Sequence, residues 1–150
     1  MLPETEGGLL PSPGTFLFPI LGYGHLFNRE RRSTTGLETV IYKYDEAIEA
    51  EPVHGVKRRM LSCGENIQVI EFFLPKGVKF PLHKHPHEQI GFIEKGAMRI
   101  WIENEVHDLR EGDGYYVPPN AEHRTEALED CIDIDVFSPV RQEYKDRSAR

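Results

Sequence analysis

An all-β barrel is the fold class predicted by this chain of 150 residues. Short strand-like runs recur at regular spacing, broken by turn residues such as Pro75-Lys76-Gly77, Lys95-Gly96 and Asn104-Glu105. Two histidine-bearing blocks, residues 77–96 and 112–123, lie far apart, and a closed fold is what brings such distant side chains together. The length suits one domain with a real core.

The elements follow in order. Residues 1–36 carry Pro3, Pro11, Pro13 and Pro19 among Phe16, Leu17, Phe18, Ile20, Leu21, Tyr23, Leu26 and Phe27. That is too apolar for a purely disordered tail. An irregular arm is expected there, lying on the barrel or on a partner subunit. Residues 37–150 are assigned to the barrel domain. Residues 37–42 are a candidate first strand, and 45–51 a helical turn or extended loop. Gly55 starts the barrel proper. Strands are expected at 56–62, 67–74, 89–94, 97–103, 106–109, 115–117, 123–128 and 131–137. Trp101 shares a face with Ala97, Arg99 and Glu103, opposite Met98, Ile100 and Ile102, and reads as packing or interface. One of Tyr115 and Tyr116 is expected to face the cavity. Small barrels leave edges that need cover, so a homodimer is expected, with the arm as the candidate cover.

Composition excludes several function classes. A net charge of −7 argues against broad nucleic-acid binding, which needs a basic face. No apolar run approaches the roughly twenty residues that span a bilayer. The N-terminus lacks the basic and apolar regions of a secretory signal, so a cytoplasmic address is expected. The two cysteines, Cys63 and Cys131, make no disulfide framework and are expected to be reduced and buried.

The first block runs Gly77, five residues, His83-Lys84-His85, three residues, Gln89, six residues, Gly96. The second runs Gly112, five residues, Pro118, one residue, Asn120, two residues, His123. On an unbroken strand His83, His85, His87 and Gln89 share one face. Pro86 interrupts that strand, so parity leaves His87 open, while Glu88 has the wrong parity unless the register slips. Three imidazoles and one amide are expected to converge on a single metal ion. Such neutral ligands leave a dication uncompensated, which attracts anionic substrates and lowers the pKa of bound water. Imidazole suits several metals, so identity stays open. Gln89, where non-haem iron oxygenases carry a carboxylate, weakens that reading.

The last strand carries a second cluster. Ile132, Ile134 and Val136 share one face; Asp133, Asp135 and Phe137 share the other. Arg141 follows closely, and its guanidinium fork can bind a carboxylate in a bidentate way. That favours an Asp face turned into the cavity, with Asp135 as the candidate functional group.

These two blocks closely resemble the two motifs of the cupin family. Gln89 stands where most members carry Glu. Asn120 stands at a position usually glycine, a mild change because Asn tolerates the left-handed backbone. The family's asparagine near the end of the second motif is replaced by Ala127. The intervening residues 97–111 fit the small single-barrel members, and the resemblance covers about residues 56–141. It implies a cupin-type double-stranded β-helix, a jelly-roll barrel. Residues 83–89 and 135–141 together look like the small cupins of the pectin-degradation type. Those proteins open the ring of 4,5-unsaturated uronates released by pectin and alginate lyases. This resemblance implies His83, His85, Gln89 and His123 as ligands of one divalent metal ion, with zinc, nickel, iron and manganese as candidates. It also implies a small anionic substrate, a uronate, in a pocket lined by Asp135, Phe137 and Arg141. An enzyme is therefore expected. Asp135 would move a proton, Arg141 would clamp the carboxylate, and Phe137 and Gln89 would touch the substrate. Two other classes compete. One is an iron-dependent dioxygenase or a polyketide cyclase, with Phe73, Phe80, Phe92, Tyr115 and Tyr116 lining a more apolar pocket. The other is a non-catalytic, metal-stabilised sugar-binding module. Fold alone does not choose among them.

Overall fold

The computed structural model describes residues 30–32 and 39–145. Strands β1 (Glu30–Arg32) and β2 (Thr39–Ile41) pair as a small ribbon. A 3-10 turn at Tyr44–Glu46 leads to β3 (Glu49–Ala50), β4 (Lys57–Cys63), β5 (Gln68–Leu74) and β6 (Lys79–His83). Then come β7 (Glu88–Lys95), β8 (Ala97–Ile102), β9 (Glu105–Arg110), β10 (Gly114–Val117), β11 (His123–Ala127) and β12 (Cys131–Ser138). A single helical turn, α1 (Gln142–Lys145), closes the described chain.

Two antiparallel sheets face each other. One has the order β10-β7-β12-β5-β4-β3, the other β6-β11-β8-β9. Their inner faces supply the core: Met60, Ile70, Phe72, Leu74 and Ile93 from one side, Met98 and Ile100 from the other. This is the expected all-β jelly roll. Among the described residues no helix is long and apolar enough to cross a membrane.

Most strands stand where the sequence places them. Some elements do not: β3, for one, falls in 45–51, where a helical turn or extended loop is expected. Strand β6 was not anticipated, because Lys79-Phe80-Pro81-Leu82-His83 has no clean alternation and carries a proline. The turn at Gln142–Lys145 is too short to leave a periodic signal. Glu30–Arg32 forms a strand inside the segment expected to be an irregular arm. The rest of that arm, with its expected role as a dimer cover, lies outside the described residues.

Turn chemistry explains the glycines of both blocks. Gly96 adopts φ 82°, and a Cβ there would overlap the Asp130 carbonyl. Asn120 takes φ 64°, the left-handed conformation its side chain tolerates. Its N–H donates to the His85 carbonyl at 2.8 Å. That bond pins the segment which crosses from one sheet to the other.

Strand β12 alternates in the sense opposite to an ordinary half-buried strand. Cys131, Asp133, Asp135 and Phe137 are buried, while Ile132, Ile134 and Val136 are only half-buried. The Asp face is the barrel interior, as expected. The same inversion runs through β7, where Gln89, Gly91 and Ile93 point inward and Ile90 and Phe92 are exposed. Cys131 is buried and its thiol is pushed up to about 12 by that burial; Cys63 is half-buried and also free. Trp101 is half-buried on the outside of β8, stacked under the Arg124 guanidinium at 4.1 Å.

Candidate metal centre

His83 ends β6 and sits directly opposite His123, the first residue of β11. Their ring centroids are 4.1 Å apart. His85 lies in the crossing between β6 and β7, 5.0 Å from the His123 ring. One ring nitrogen of each histidine lies within 4.8 Å of the others. The three do converge, but not by strand parity, because β6 stops at His83 and His85 is outside any strand. His87 is half-buried and does not belong to this cluster. Glu88 is exposed on the outer face and accepts a hydrogen bond from Tyr116 Oη at 3.1 Å.

Each of the three imidazoles has its Nδ1 turned to a backbone carbonyl. His83 faces Pro81 O at 2.9 Å, His85 faces His87 O at 3.1 Å, and His123 faces Ala121 O at 2.9 Å. A carbonyl accepts, so Nδ1 carries the proton and Nε2 keeps its lone pair, the arrangement common to metal-binding histidines. His123 Nε2 is buried with no hydrogen-bond partner among the described residues. His85 Nε2 faces Gln89 Oε1 at 3.1 Å. The Gln89 amide cannot turn to relieve this, because its Nε2 donates to Asp135 Oδ1 at 2.8 Å. Two lone pairs therefore aim at one space, an arrangement that a cation relieves. The donor set of three neutral imidazoles and an amide oxygen fits a divalent metal.

Burial keeps these rings neutral. It lowers His85 and His123 to about 4, helped at His85 by Arg141 and His123 and at His123 by His83 and Arg141. His83 is lowered for the same first reason. A proton on Nε2 excludes the metal, so at His85 and His123 competition begins near pH 4 rather than 6.5. Two ordinary imidazoles would cost about a hundredfold in affinity between about pH 7.5 and 5.5. Here Zn²⁺ affinity by calorimetry is expected to change by less than about tenfold over that range, because only His83 can titrate within it. A hundredfold drop would contradict it.

Beside the cluster opens a small cleft. Asp135, Phe137 and Arg141 all line it, as do His83, Gln89 and His123. Phe137 packs edge-on against the His85 ring at 5.6 Å. Arg141 lies over the Phe137 and Tyr144 rings, with centroid distances of 5.1 and 4.3 Å. Its Nε donates to Glu143, and its backbone N–H donates to the buried Gln68 Oε1 at 3.0 Å. Gln68 and Tyr144 thus hold Arg141 at the cleft, and sequence reasoning named neither. Tyr144 is reached only through α1, which left no sequence signal. The apolar wall also differs from expectation. Phe80 and Tyr115 line the cleft, whereas Phe73, Phe92 and Tyr116 belong to the outer face and Phe72 takes the inner place. Inward parity on β5 falls on Phe72 because it opposes Asp133.

Below the cluster lies a second polar group. Tyr115 Oη is 2.7 Å from Asp133 Oδ2, 2.9 Å from Asp135 Oδ1 and 3.2 Å from Gln89 Nε2. Burial raises Asp135 to about 6, opposed by its bonds from Gln89 and Tyr115 and by Arg141. Burial, then repulsion from Asp135, drives Asp133 well above the usual carboxylate range. Asp133 shares the parity of Asp135 and Phe137, which was the available signal for it.

The Tyr115 ring has room because its strand partner is glycine. Tyr115 pairs with Gly91, and a Cβ built on Gly91 would fall inside the ring. Gly91→Ala is expected to push Tyr115 aside and lower the unfolding free energy by about 1–3 kcal/mol. Chemical denaturation measures it; unchanged stability would mean the ring yields freely.

A cupin-domain family profile matches residues 70–137. The chain is 31% identical over 102 residues to the pectin degradation protein KdgF of Dickeya dadantii (strain 3937), an alignment covering 67% of this chain and 93% of that protein. Its fold superposes on the structure of KdgF from Halomonas sp. with TM-score 0.65 and 28% identity, covering 69% of this chain and 97% of that one. It also superposes on an RmlC-like cupin from Shewanella frigidimarina NCIMB 400 with TM-score 0.66 and 23% identity, covering 76% and 97%; that likeness concerns fold alone. With the jelly-roll sheets and the histidine cluster already in place, these likenesses establish that the chain belongs to the cupin family.

Proposed function

We propose that the protein is a metal-dependent enzyme that linearises 4,5-unsaturated uronates to their open keto-aldehyde form. The observation that carries this reading is the single cleft in which Asp135 and Arg141 flank the histidine cluster. Its likeness to a pectin degradation protein supports the substrate class.

His83, His85, His123 and the Gln89 oxygen would hold the metal. When bound, a divalent ion supplies Lewis acidity to substrate oxygen atoms without a compensating ligand charge. The remaining work falls to side chains. Arg141 pairs with the substrate carboxylate; its Nε is taken by Glu143, which leaves the terminal nitrogens of the fork for that task. Phe137, Phe72 and Phe80 give the sugar ring an apolar wall and exclude water. Asp135 takes the proton of the anomeric hydroxyl as general base. The bond from C1 to the ring oxygen then breaks, a carbonyl forms at C1, and the bond electrons stay on the ring oxygen as an enolate at C5. A proton returns to C4, which completes an isomerisation with no net gain or loss of atoms.

The test is product analysis by NMR after incubating metal-loaded protein with 4,5-unsaturated galacturonate without oxygen. The open keto-aldehyde is expected at a rate well above the spontaneous one. Turnover that requires oxygen would replace this reading with a dioxygenase, and a ligand recovered unchanged would replace it with a binding module.

Self-association belongs to the same proposal, with residues 1–36 as the contact. Deleting them is expected to lower the mass in light scattering while Zn²⁺ affinity stays within about threefold. An unchanged mass would remove the arm from that role.

A further inference from the structure

The hydroxyl of Tyr115 has one proton and two carboxylates within reach. Asp133 Oδ2 stands at 2.7 Å and Asp135 Oδ1 at 2.9 Å. The hydroxyl can donate to only one of them. If both were ionised, a phenol lone pair would face a carboxylate lone pair at hydrogen-bond distance, in a buried site where repulsion is little screened. One carboxyl must therefore bring its own proton.

The surroundings decide which one. Asp135 Oδ1 also accepts from Gln89 Nε2 at 2.8 Å, and Arg141 lies on the same cleft. Asp133 has Tyr115 as its one hydrogen-bond donor among the described residues, and its Oδ1 is buried without a partner. Its strand partners are Phe72 and Ile93, both apolar. An orphaned oxygen is far more costly on a carboxylate than on a neutral acid. Asp133 makes no described hydrogen bond to any of the candidate ligands.

We infer that Asp133 is held as a neutral acid whose proton points at Tyr115, and that it acts as a positioning residue for Asp135. The chain then runs in one direction. Asp133 donates to Tyr115, and Tyr115 donates to Asp135. The two lone pairs of the phenol are filled by Asp133 and by Gln89 Nε2 at 3.2 Å. Every polar hydrogen in the chain has an acceptor, and Asp135 is left ionised and oriented as the base. Burial raises both Asp133 and Tyr115, in keeping with this pattern.

The catalytic consequence rests on the ring-opening reading; the proton assignment does not. Two measurements separate them. The first is infrared spectroscopy of the metal-loaded protein at neutral pH. A carboxylic-acid carbonyl band is expected that disappears in Asp133→Asn. A band that survives Asp133→Asn and vanishes in Asp135→Asn would place the proton on the other carboxyl and overturn the inference. The second is turnover of 4,5-unsaturated galacturonate. Asp133→Val, which cannot donate, is expected to lower kcat by about tenfold or more with KM and Zn²⁺ affinity little moved. Asp133→Asn, whose amide can donate to Tyr115, is expected to recover most of that loss. If asparagine is as damaging as valine, the donor role is wrong. Absence of turnover in the parent protein would sink the functional reading, and the infrared band alone would still decide where the proton sits.

Discussion

Replacing His123 by alanine is expected to abolish metal binding and lower turnover by about a thousandfold or more. The reasoning is local. His123 is buried, its Nδ1 is committed to Ala121 O at 2.9 Å, and its Nε2 has no described partner. A buried nitrogen left bare beside two other imidazoles serves little structural purpose. The substitution also removes the ring that sits 4.1 Å from His83 and 5.0 Å from His85. Metal content after dialysis and turnover should fall together. Full metal occupancy in the variant would show that His83, His85 and Gln89 suffice without it.

Asp135→Asn is expected to leave metal content intact and reduce kcat by about a hundredfold or more. Asparagine keeps the volume and one acceptor oxygen, so the barrel survives. It removes the negative charge and places an amide where Gln89 Nε2 and Tyr115 Oη both donate. A loss confined to kcat would identify the carboxylate with proton movement. A loss of metal instead would mean that Asp135 matters mainly by orienting the Gln89 amide. Arg141→Ala provides the contrast: a raised KM with a smaller change in kcat marks uniform binding of the carboxylate.

These expectations draw on a site only partly legible in the sequence. The glycines, the downstream His123 and the short strand runs were sufficient for the barrel and the histidine cluster, because turn chemistry and strand length are local properties. Parity carried well inside β12, where Asp133, Asp135 and Phe137 do share the interior. It failed near the sheet crossing, where β6 ends at His83 and the chain leaves strand geometry before His85. The expectation of Phe73 and Phe92 in the pocket wall rests on no parity argument, and both lie on the outer face. Which of two adjacent aromatics points inward depends on register, and register shifts occur at Met60/Ser62, His123/Thr125 and Ile132/Asp133. Such bulges have no reliable single-residue signature. The supports for Arg141 were invisible for another reason. Gln68 reaches it across 73 residues of chain, and no local pattern encodes a contact of that separation.

The inverted alternation of β7 and β12 is informative in itself. Burying Asp133 and Asp135 on β12 while exposing Ile90 and Phe92 on β7 gives up hydrophobic stabilisation on the inner face of the sheet. Buried acids are costly unless bonded, and here Tyr115, Gln89 and Arg141 are arranged around them. Departures of this kind from the ordinary rules concentrate at functional sites.

The most direct measurement follows the conjugated ultraviolet absorbance of 4,5-unsaturated galacturonate mixed with metal-loaded protein, with His123→Ala and Asp135→Asn run alongside. Loss of absorbance well above the spontaneous rate, removed by both substitutions, is the result expected of a ring-opening enzyme built on these residues. Loss no faster than the spontaneous rate would contradict it.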